Sequence, residues 1–323
     1  MTLLKGTHTV DTRTVLALGF FDGIHRGHRA VLDTAEKHAR LMECPLQVLT
    51  FYPHPQHLVN GSDFRYLTTY GEKFLILRSF YTDCILRFIR FEKTLRDMNP
   101  EKFIGFLSSR FQPEAVYIGE NFRFGYRARG DAALLRNSLT KENISVEVVA
   151  TVREEGEAVS SSRIRSLLTR GKLEEANAFL GYPYSIHGVV RKGQKLGSTL
   201  GFPTANIYPS SRKLLPGPGV YAGYARGKDF SCPALVYVGT RPTLGGIAYP
   251  VTEAYLPGLK QENLYGKRMC FSFVAFMREE VKFSSLEELR KQISCDLGAL
   301  EPYLQQSSLM IHYNSNVEKM GVS

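Results

Sequence analysis

Residues 14–18, Thr-Val-Leu-Ala-Leu, carry after Thr14 an unbroken apolar run that enters a turn, Gly19-Phe20-Phe21-Asp22-Gly23-Ile24-His25-Arg26-Gly27-His28. The chain leaves that turn through residues 29–38, whose apolar positions recur at helical spacing. A continuous apolar run, rather than an alternating one, is the pattern of a strand buried on both faces, and such strands belong to parallel sheets covered by helices. The alternation then repeats. Residues 46–51, 84–91, 115–119 and 145–150 read as strands and 71–80 as a helix, while Asn99-Pro100-Glu101 supplies a cap and a first-turn proline for another helix. The first half is therefore expected to be α/β, a doubly wound parallel sheet. Ligands of such sheets bind beyond the carboxyl ends of the strands, where the His25/His28 turn and the Gly119 segment both fall.

The turn itself suits phosphate. His25 and His28 lie three residues apart at the start of a helix, so they share a face beside N–H groups that have no intrahelical partner and beside the positive end of the helix dipole. Gly23 and Gly27 would let backbone approach an anion closely. Taken alone, two histidines at this spacing also fit a surface coincidence or half of a metal site.

The second half has a different texture. Residues 161–168 and 172–180 read as two short helices separated by Gly171; after Gly181-Tyr182-Pro183 come short β-rich runs at 185–190, 219–225, 234–238, 251–256 and 268–276, punctuated by Gly and Pro. That is the pattern of a small antiparallel barrel. Residues 284–294 read as a closing helix, with Ser284 at the cap and Glu287 at the third helical position. The expected domains are 1–182 and 183–304, followed by a polar, patternless tail over 305–323. Between the first two barrel strands, the loop Gly193-Gln194-Lys195-Leu196-Gly197-Ser198-Thr199-Leu200-Gly201 would wrap phosphates with backbone N–H groups, or serve as an ordinary hairpin connection. Thr204 and Asn206 alternate along an extended segment and so point the same way.

Composition bounds the remaining possibilities. The chain has 323 residues, which suits two cores rather than one. No apolar run approaches the roughly 18 residues of a membrane span, and the start, Met-Thr-Leu-Leu-Lys-Gly-Thr-His, lacks a signal-peptide pattern, so a cytoplasmic location is expected. Five scattered cysteines without C-x-x-C spacing fit neither a disulfide framework nor a zinc site. A net charge of +10 admits a nucleic-acid binder, but the basic residues are dispersed rather than clustered, as in a basic enzyme that handles anionic substrates.

Motifs along nearly the whole chain add a family resemblance. The His25-Arg26-Gly27-His28 segment resembles the H-x-G-H signature of nucleotidylyltransferases, and with its Phe21-Asp22-Gly23 flank it is similar to the version in bacterial FMN adenylyltransferases. Thr50-Phe51-Tyr52-Pro53-His54-Pro55, Gly119-Glu120-Asn121-Phe122-Arg123-Phe124-Gly125 with Gly130-Asp131, and Ser160-Ser161-Ser162-Arg163-Ile164-Arg165 resemble the later blocks of that family. Leu196-Gly197, Gly201-Phe202-Pro203-Thr204-Ala205-Asn206, Gly219-Val220-Tyr221, Gly239-Thr240-Arg241-Pro242-Thr243, Glu253 and Leu264-Tyr265-Gly266 resemble a riboflavin kinase. Fused in this order, the two halves resemble the bacterial bifunctional riboflavin kinase/FMN adenylyltransferases, or FAD synthetases. Two positions depart from the pattern: Tyr52 stands where an acidic residue is more usual, and Leu256-Pro257-Gly258 replaces an acidic-aromatic continuation.

The resemblance implies ATP-dependent phosphorylation of riboflavin to FMN and adenylylation of FMN to FAD with release of pyrophosphate. It makes His25 and His28 stabilisers of the α-phosphate, and Glu253 the general base of the kinase. Nucleotide contacts would come from Gly19, Phe20, Asp22, Gly23, Gly27, Asn121, Ser160, Ser161 and Arg165 in the first reaction. In the second they would come from Gly193, Lys195, Gly197, Thr204 and Asn206. Thr204 and Asn206 would also hold Mg²⁺, whose preference is for hard oxygen ligands, and Phe124 and Arg278 would contact flavin. Implied partners are small molecules, with flavoproteins as recipients of product, no nucleic acid and no membrane; a weak homo-oligomer stays open. The readings weighed against this one are a scaffold with only one active half and a nucleic-acid-binding protein.

Overall fold

The structure, a computed structural model, describes residues 2–3, 13–56, 64–193, 196–242, 248–259 and 264–305. Lys195, Thr243 and the tail beyond Gln305, all part of the sequence reading, lie outside them. The chain forms two compact units, residues 1–160 and 161–323.

In the first unit the strands are β1 (Thr2–Leu3), β2 (Val15–Leu18), β3 (Leu46–Tyr52), β4 (Ile85–Arg90), β5 (Ala115–Gly119) and β6 (Ser145–Val149). They make one six-stranded sheet in the order β1-β4-β3-β2-β5-β6, with every neighbouring pair parallel. The helices between them are α1 (Arg26–Leu41), α2 (Tyr70–Phe80), α3 (Pro100–Phe111) and α4 (Ala132–Leu139). All four residues of β2 are buried, which is why its run lacks polar alternation. α1 packs Val31, Leu32, Ala35 and Ala39 inward. Leu16, Leu18, Leu49 and Phe51 join Phe103 and Leu107 of α3 and Leu135 of α4 in the main core. Local signals agree: the Asn99 side chain caps α3 by accepting from Lys102 N at 2.8 Å, with Pro100 in the first turn. β2 pairs with β3 on one side and β5 on the other, so the order reverses there and opens a crevice beyond their carboxyl ends. A small hairpin follows, β7 (Arg153–Glu154) with β8 (Glu157–Ala158), and Arg26 of α1 bonds Glu154 at 2.5 Å.

The second unit opens with α5 (Ser161–Thr169) and α6 (Leu173–Leu180). Six antiparallel strands follow: β9 (Ser185–Arg191), β10 (Thr204–Pro209), β11 (Gly219–Arg226), β12 (Ser231–Pro242), β13 (Ala248–Tyr255) and β14 (Arg268–Arg278). They close into a barrel in the order β10-β13-β12-β11-β14-β9. The sequence reading divides the chain where strand texture begins, after residue 182, whereas compactness divides it after Ser160. The physical reason is α6: the buried Asn177 donates to Phe273 O at 3.0 Å and accepts from Tyr184 N at 2.7 Å, and Glu174 accepts from Phe276 N at 2.7 Å. These bonds tie the helical pair to the barrel.

The last helix, α7 (Leu286–Gln305), runs well past residue 294. Its cap is shifted by one residue from the expected Ser284/Glu287 pair. Ser285 Oγ accepts from Glu288 N at 3.2 Å, and the Glu288 carboxylate accepts from Ser284 N at 3.1 Å. Leu300 and Leu304 of α7 then pack on Ala222 of β11 and on Val274 and Ala275 of β14.

Candidate functional site

The first site is built where β2 ends. Phe21 and Ile24, both buried, hold left-handed backbone with φ of 48° and 40°, a conformation that side chains rarely adopt and that surrounding bonds must enforce. Those bonds are visible. Asp22 accepts from Leu67 N at 3.1 Å and from Thr68 N at 3.0 Å, and Thr68 Oγ1 accepts from Gly23 N at 3.0 Å. The Phe20 carbonyl accepts from Lys73 Nζ at 2.6 Å and from Thr50 Oγ1 at 3.0 Å. Asp22, expected to contact nucleotide, is instead 2% exposed with both carboxylate oxygens engaged by the 67–68 segment, so it shapes the turn from within. Gly19 is needed for fit, since a Cβ there would lie 2.8 Å from the Phe21 ring.

His25 is the N-cap of α1 rather than a member of its first turn: its Nδ1 accepts from His28 N at 3.3 Å. An accepting Nδ1 carries no proton, so the neutral ring holds its proton on Nε2 and can donate from there. The two imidazoles stack with centroids 3.6 Å apart and planes 17° apart. Gly27 fits between them and the chain at Val159, where a Cβ would lie 3.2 Å from the His25 ring and 3.5 Å from Val159 O. Ser160 follows at the end of this unit, while Ser161 and Arg165 stand on α5 of the second unit.

Beside the turn, an aromatic cavity of about 550 Å³ is walled by Phe20, Phe51, Phe91, Phe122, Phe124 and Tyr126, with Arg96, Asp97, Arg123 and Arg127 also lining it. Phe124 is stacked between Phe103 and Phe122, so it forms a fixed wall. Asn121, just beyond β5, is exposed and donates to Thr151 Oγ1 at 3.1 Å, bridging the carboxyl ends of β5 and β6. Sequence reasoning missed Lys73. Its ammonium is buried under the turn, and burial lowers its pKa to about 8, partly opposed by the Asp22 carboxylate. No sequence signal distinguishes this lysine from a solvated one on α2.

The second site lies against the barrel, around a cavity of about 310 Å³. Asn206 of β10 is directly opposite Glu253 of β13, which puts Thr204, Asn206 and Glu253 on one face. Thr204 Oγ1 donates to Glu253 Oε2 at 3.2 Å, orienting the carboxylate toward the cavity that both residues line. The loop glycines permit close approach to this segment. A Cβ at Gly193 would lie 2.4 Å from Asn206 Nδ2, and one at Gly197 would lie 2.4 Å from Phe202 O.

Arg278 also lines the cavity, but its guanidinium is committed to the closing helix. Nε meets Asp296 Oδ1 at 2.9 Å, Nη2 meets Oδ2 at 2.7 Å, and Gln292 holds the same carboxylate at 2.9 Å. Expected to contact flavin, Arg278 therefore fastens α7 over the cavity wall. Tyr237, also missed in the sequence, donates its hydroxyl to Glu280 on that wall.

Comparison with known proteins agrees with this division of labour. An FAD synthetase family model matches residues 7–163 and a riboflavin kinase family model matches residues 180–304. The bifunctional riboflavin kinase/FMN adenylyltransferase of Escherichia coli K12 is 34% identical over 304 residues, covering 92% of this chain and 96% of the relative. The enzyme of that name from Haemophilus influenzae is 32% identical, covering 94% and 99%. The chain belongs to the bifunctional riboflavin kinase/FMN adenylyltransferases. A crystal structure described as a macrolide-efflux protein from Streptococcus pneumoniae shares the fold, with a TM-score of 0.82 and 26% identity over 90% of this chain and 95% of that one.

Both enzymatic domains of this family are present, so neither the nucleic-acid-binding reading nor the single-active-half reading is favoured. Among the described residues, no helix is long and apolar enough to cross a membrane.

Proposed function

We propose that the second unit phosphorylates the 5′-hydroxyl of riboflavin with ATP, and that the first unit then joins the FMN phosphate to the AMP moiety of a second ATP, releasing pyrophosphate. The observation that carries this reading is the coexistence in one chain of a stacked histidine pair at a helix N-terminus and an oriented carboxylate on a barrel face. In the first reaction two polyanions must be held together while charge builds on the α-phosphate. Nε2–H of His25, the His28 imidazole, and the Arg26 and Gly27 N–H groups at the start of α1 are donors for that charge. Ser160, at the end of the first unit, would serve the outer phosphates, and the aromatic cavity suits a planar flavin ring.

In the second reaction Glu253 accepts the hydroxyl proton as the γ-phosphoryl group is attacked in line. Arg278, which lines the cavity while Asp296 holds its guanidinium, would meet flavin there. Thr204, Asn206 and Glu253 form an oxygen-rich set that fits Mg²⁺; Thr204 and Asn206 would hold it, and the bound ion would neutralise charge on the phosphates of ATP. We take the working compartment to be the cytosol, with flavoproteins as recipients of product.

Incubating the full-length protein with riboflavin, ATP and Mg²⁺ and resolving the flavins chromatographically tests the whole reading. FMN should appear first and FAD after it. Accumulation of FMN alone would show an idle first unit, and unchanged riboflavin would refute the assignment. Asn206→Ala is expected to remove FMN formation while FAD synthesis from supplied FMN continues. Loss of both activities in that variant would contradict separate sites.

A further inference from the structure

We propose that Lys73 is a positioning residue for adenylyl transfer, its ammonium fixing, through the Phe20 carbonyl, the turn that presents His25 and His28. The inference rests on reading that turn as the adenylyl-transfer site.

Three tethers converge on the turn, and all of them reach it from the segment around the start of α2 or from β3. Asp22 is held by the amides of Leu67 and Thr68, Gly23 N by the Thr68 hydroxyl, and Phe20 O by Lys73 Nζ at 2.6 Å together with Thr50 Oγ1 at 3.0 Å. Lys73 Nζ also reaches Thr50 Oγ1 at 3.4 Å, closing a small network below the strand-to-helix crossing. The first two tethers hold the middle of the turn; the third holds its start, where Gly19 N also donates to Leu49 O at 3.2 Å, and it acts next to the left-handed Phe21 whose ring edge meets the His28 ring with centroids 5.4 Å apart. A shift of Phe20 is thus passed through Phe21 to His28.

The residue type matters. A buried ammonium is unfavourable unless charge-assisted bonds hold it, and an apolar side chain would fill the same space without that cost. The groups facing Lys73 are the Asp22 carboxylate in the turn and, around a small neighbouring cavity, Tyr52, His54, Tyr66 and Tyr70. Of these, Asp22 supports the ammonium and burial opposes it, which leaves the group titrating at about 8. Below that pH the charged donor holds Phe20 O, and above it the bond weakens to that of a neutral amine.

The test compares wild type, Lys73→Met, Thr50→Val and His28→Ala in the full-length protein, measuring FAD formation from supplied FMN and riboflavin phosphorylation on the same preparations. Misplacing catalytic groups by a fraction of an ångström to an ångström costs on the order of ten- to a hundredfold. Lys73→Met should therefore lose about that much kcat in FAD formation, with little change in KM for FMN or ATP and normal kinase activity. Thr50→Val, which removes the weaker donor to the same carbonyl, should show a smaller loss in the same direction. In wild type the kcat of FAD formation should fall as pH rises through about 8, and that limb should be missing from Lys73→Met.

Wild-type kcat in Lys73→Met, or persistence of the limb in that variant, overturns the proposal. If Lys73→Met fails to fold, as judged by thermal unfolding, the Thr50→Val rate and the wild-type pH profile decide: an undiminished rate or a profile flat through about pH 8 refutes it. Full FAD formation by His28→Ala would instead remove the underlying reading of the turn.

Discussion

His28→Ala is expected to abolish FAD formation from FMN, a loss of about a hundredfold or more, the scale seen when one donor to a developing oxyanion is removed. FMN formation from riboflavin should continue at the wild-type rate, because the barrel site uses none of these residues. The substitution is clean for a structural reason. What caps α1 is the backbone N–H of His28 bonded to His25 Nδ1, and alanine keeps that N–H. His25→Ala, by contrast, removes an imidazole and a helix cap together, and cap loss alone costs roughly 0.5–2 kcal/mol. Equal loss in both variants at 25 °C, with a lower unfolding temperature only for His25→Ala, would separate chemistry from stability. Near-normal FAD production by His28→Ala would end the assignment of the pair to the α-phosphate.

Much of the architecture is legible because burial on two faces leaves an unmistakable trace. β2 and β5 read as unbroken apolar runs, β3 is interrupted only by Gln47 and Thr50, and their position beside a glycine-bearing turn marks the switch point of the sheet. The errors are local and have identifiable sources. Ser284-Ser285-Leu286-Glu287-Glu288 offers two cap registers one residue apart, and composition alone does not choose between them. The extension of α7 past residue 294 depends on Leu300 and Leu304 finding the β11/β14 surface, a tertiary contact. Asp22 and Lys73 are less legible still. An acid in a phosphate turn looks like a ligand contact until its partners, 45 and 46 residues away, are seen to be two backbone amides and the Thr68 hydroxyl, and a lysine on a helix looks solvated until the strand that buries it is in place. The Thr204–Glu253 pairing has a similar character: each residue fits its motif, but the bond between them follows from the register of β10 against β13.

That bond shapes what Glu253→Gln should do. The amide keeps the size of the side chain, and its carbonyl oxygen can still accept from the Thr204 hydroxyl, so the face formed with Asn206 should persist and riboflavin affinity should change little. What is lost is a carboxylate able to take the proton of the attacking hydroxyl. General-base contributions are typically about a hundredfold to ten-thousandfold, and a phosphoryl transfer with much bond breaking to the leaving group leans less on the base than on positioning and charge neutralisation. The expected fall in kcat is therefore about a hundredfold, at the lower end of that range, with KM for riboflavin nearly unchanged, as for an interaction made in the transition state rather than the ground state. Steady-state riboflavin phosphorylation at saturating Mg²⁺-ATP measures both quantities. FAD formation from supplied FMN, measured on the same preparation, should be untouched. A rise in KM at constant kcat would make Glu253 a binding residue, and an unchanged kcat with unchanged KM would leave it as a strand carboxylate whose only role is to hold Thr204.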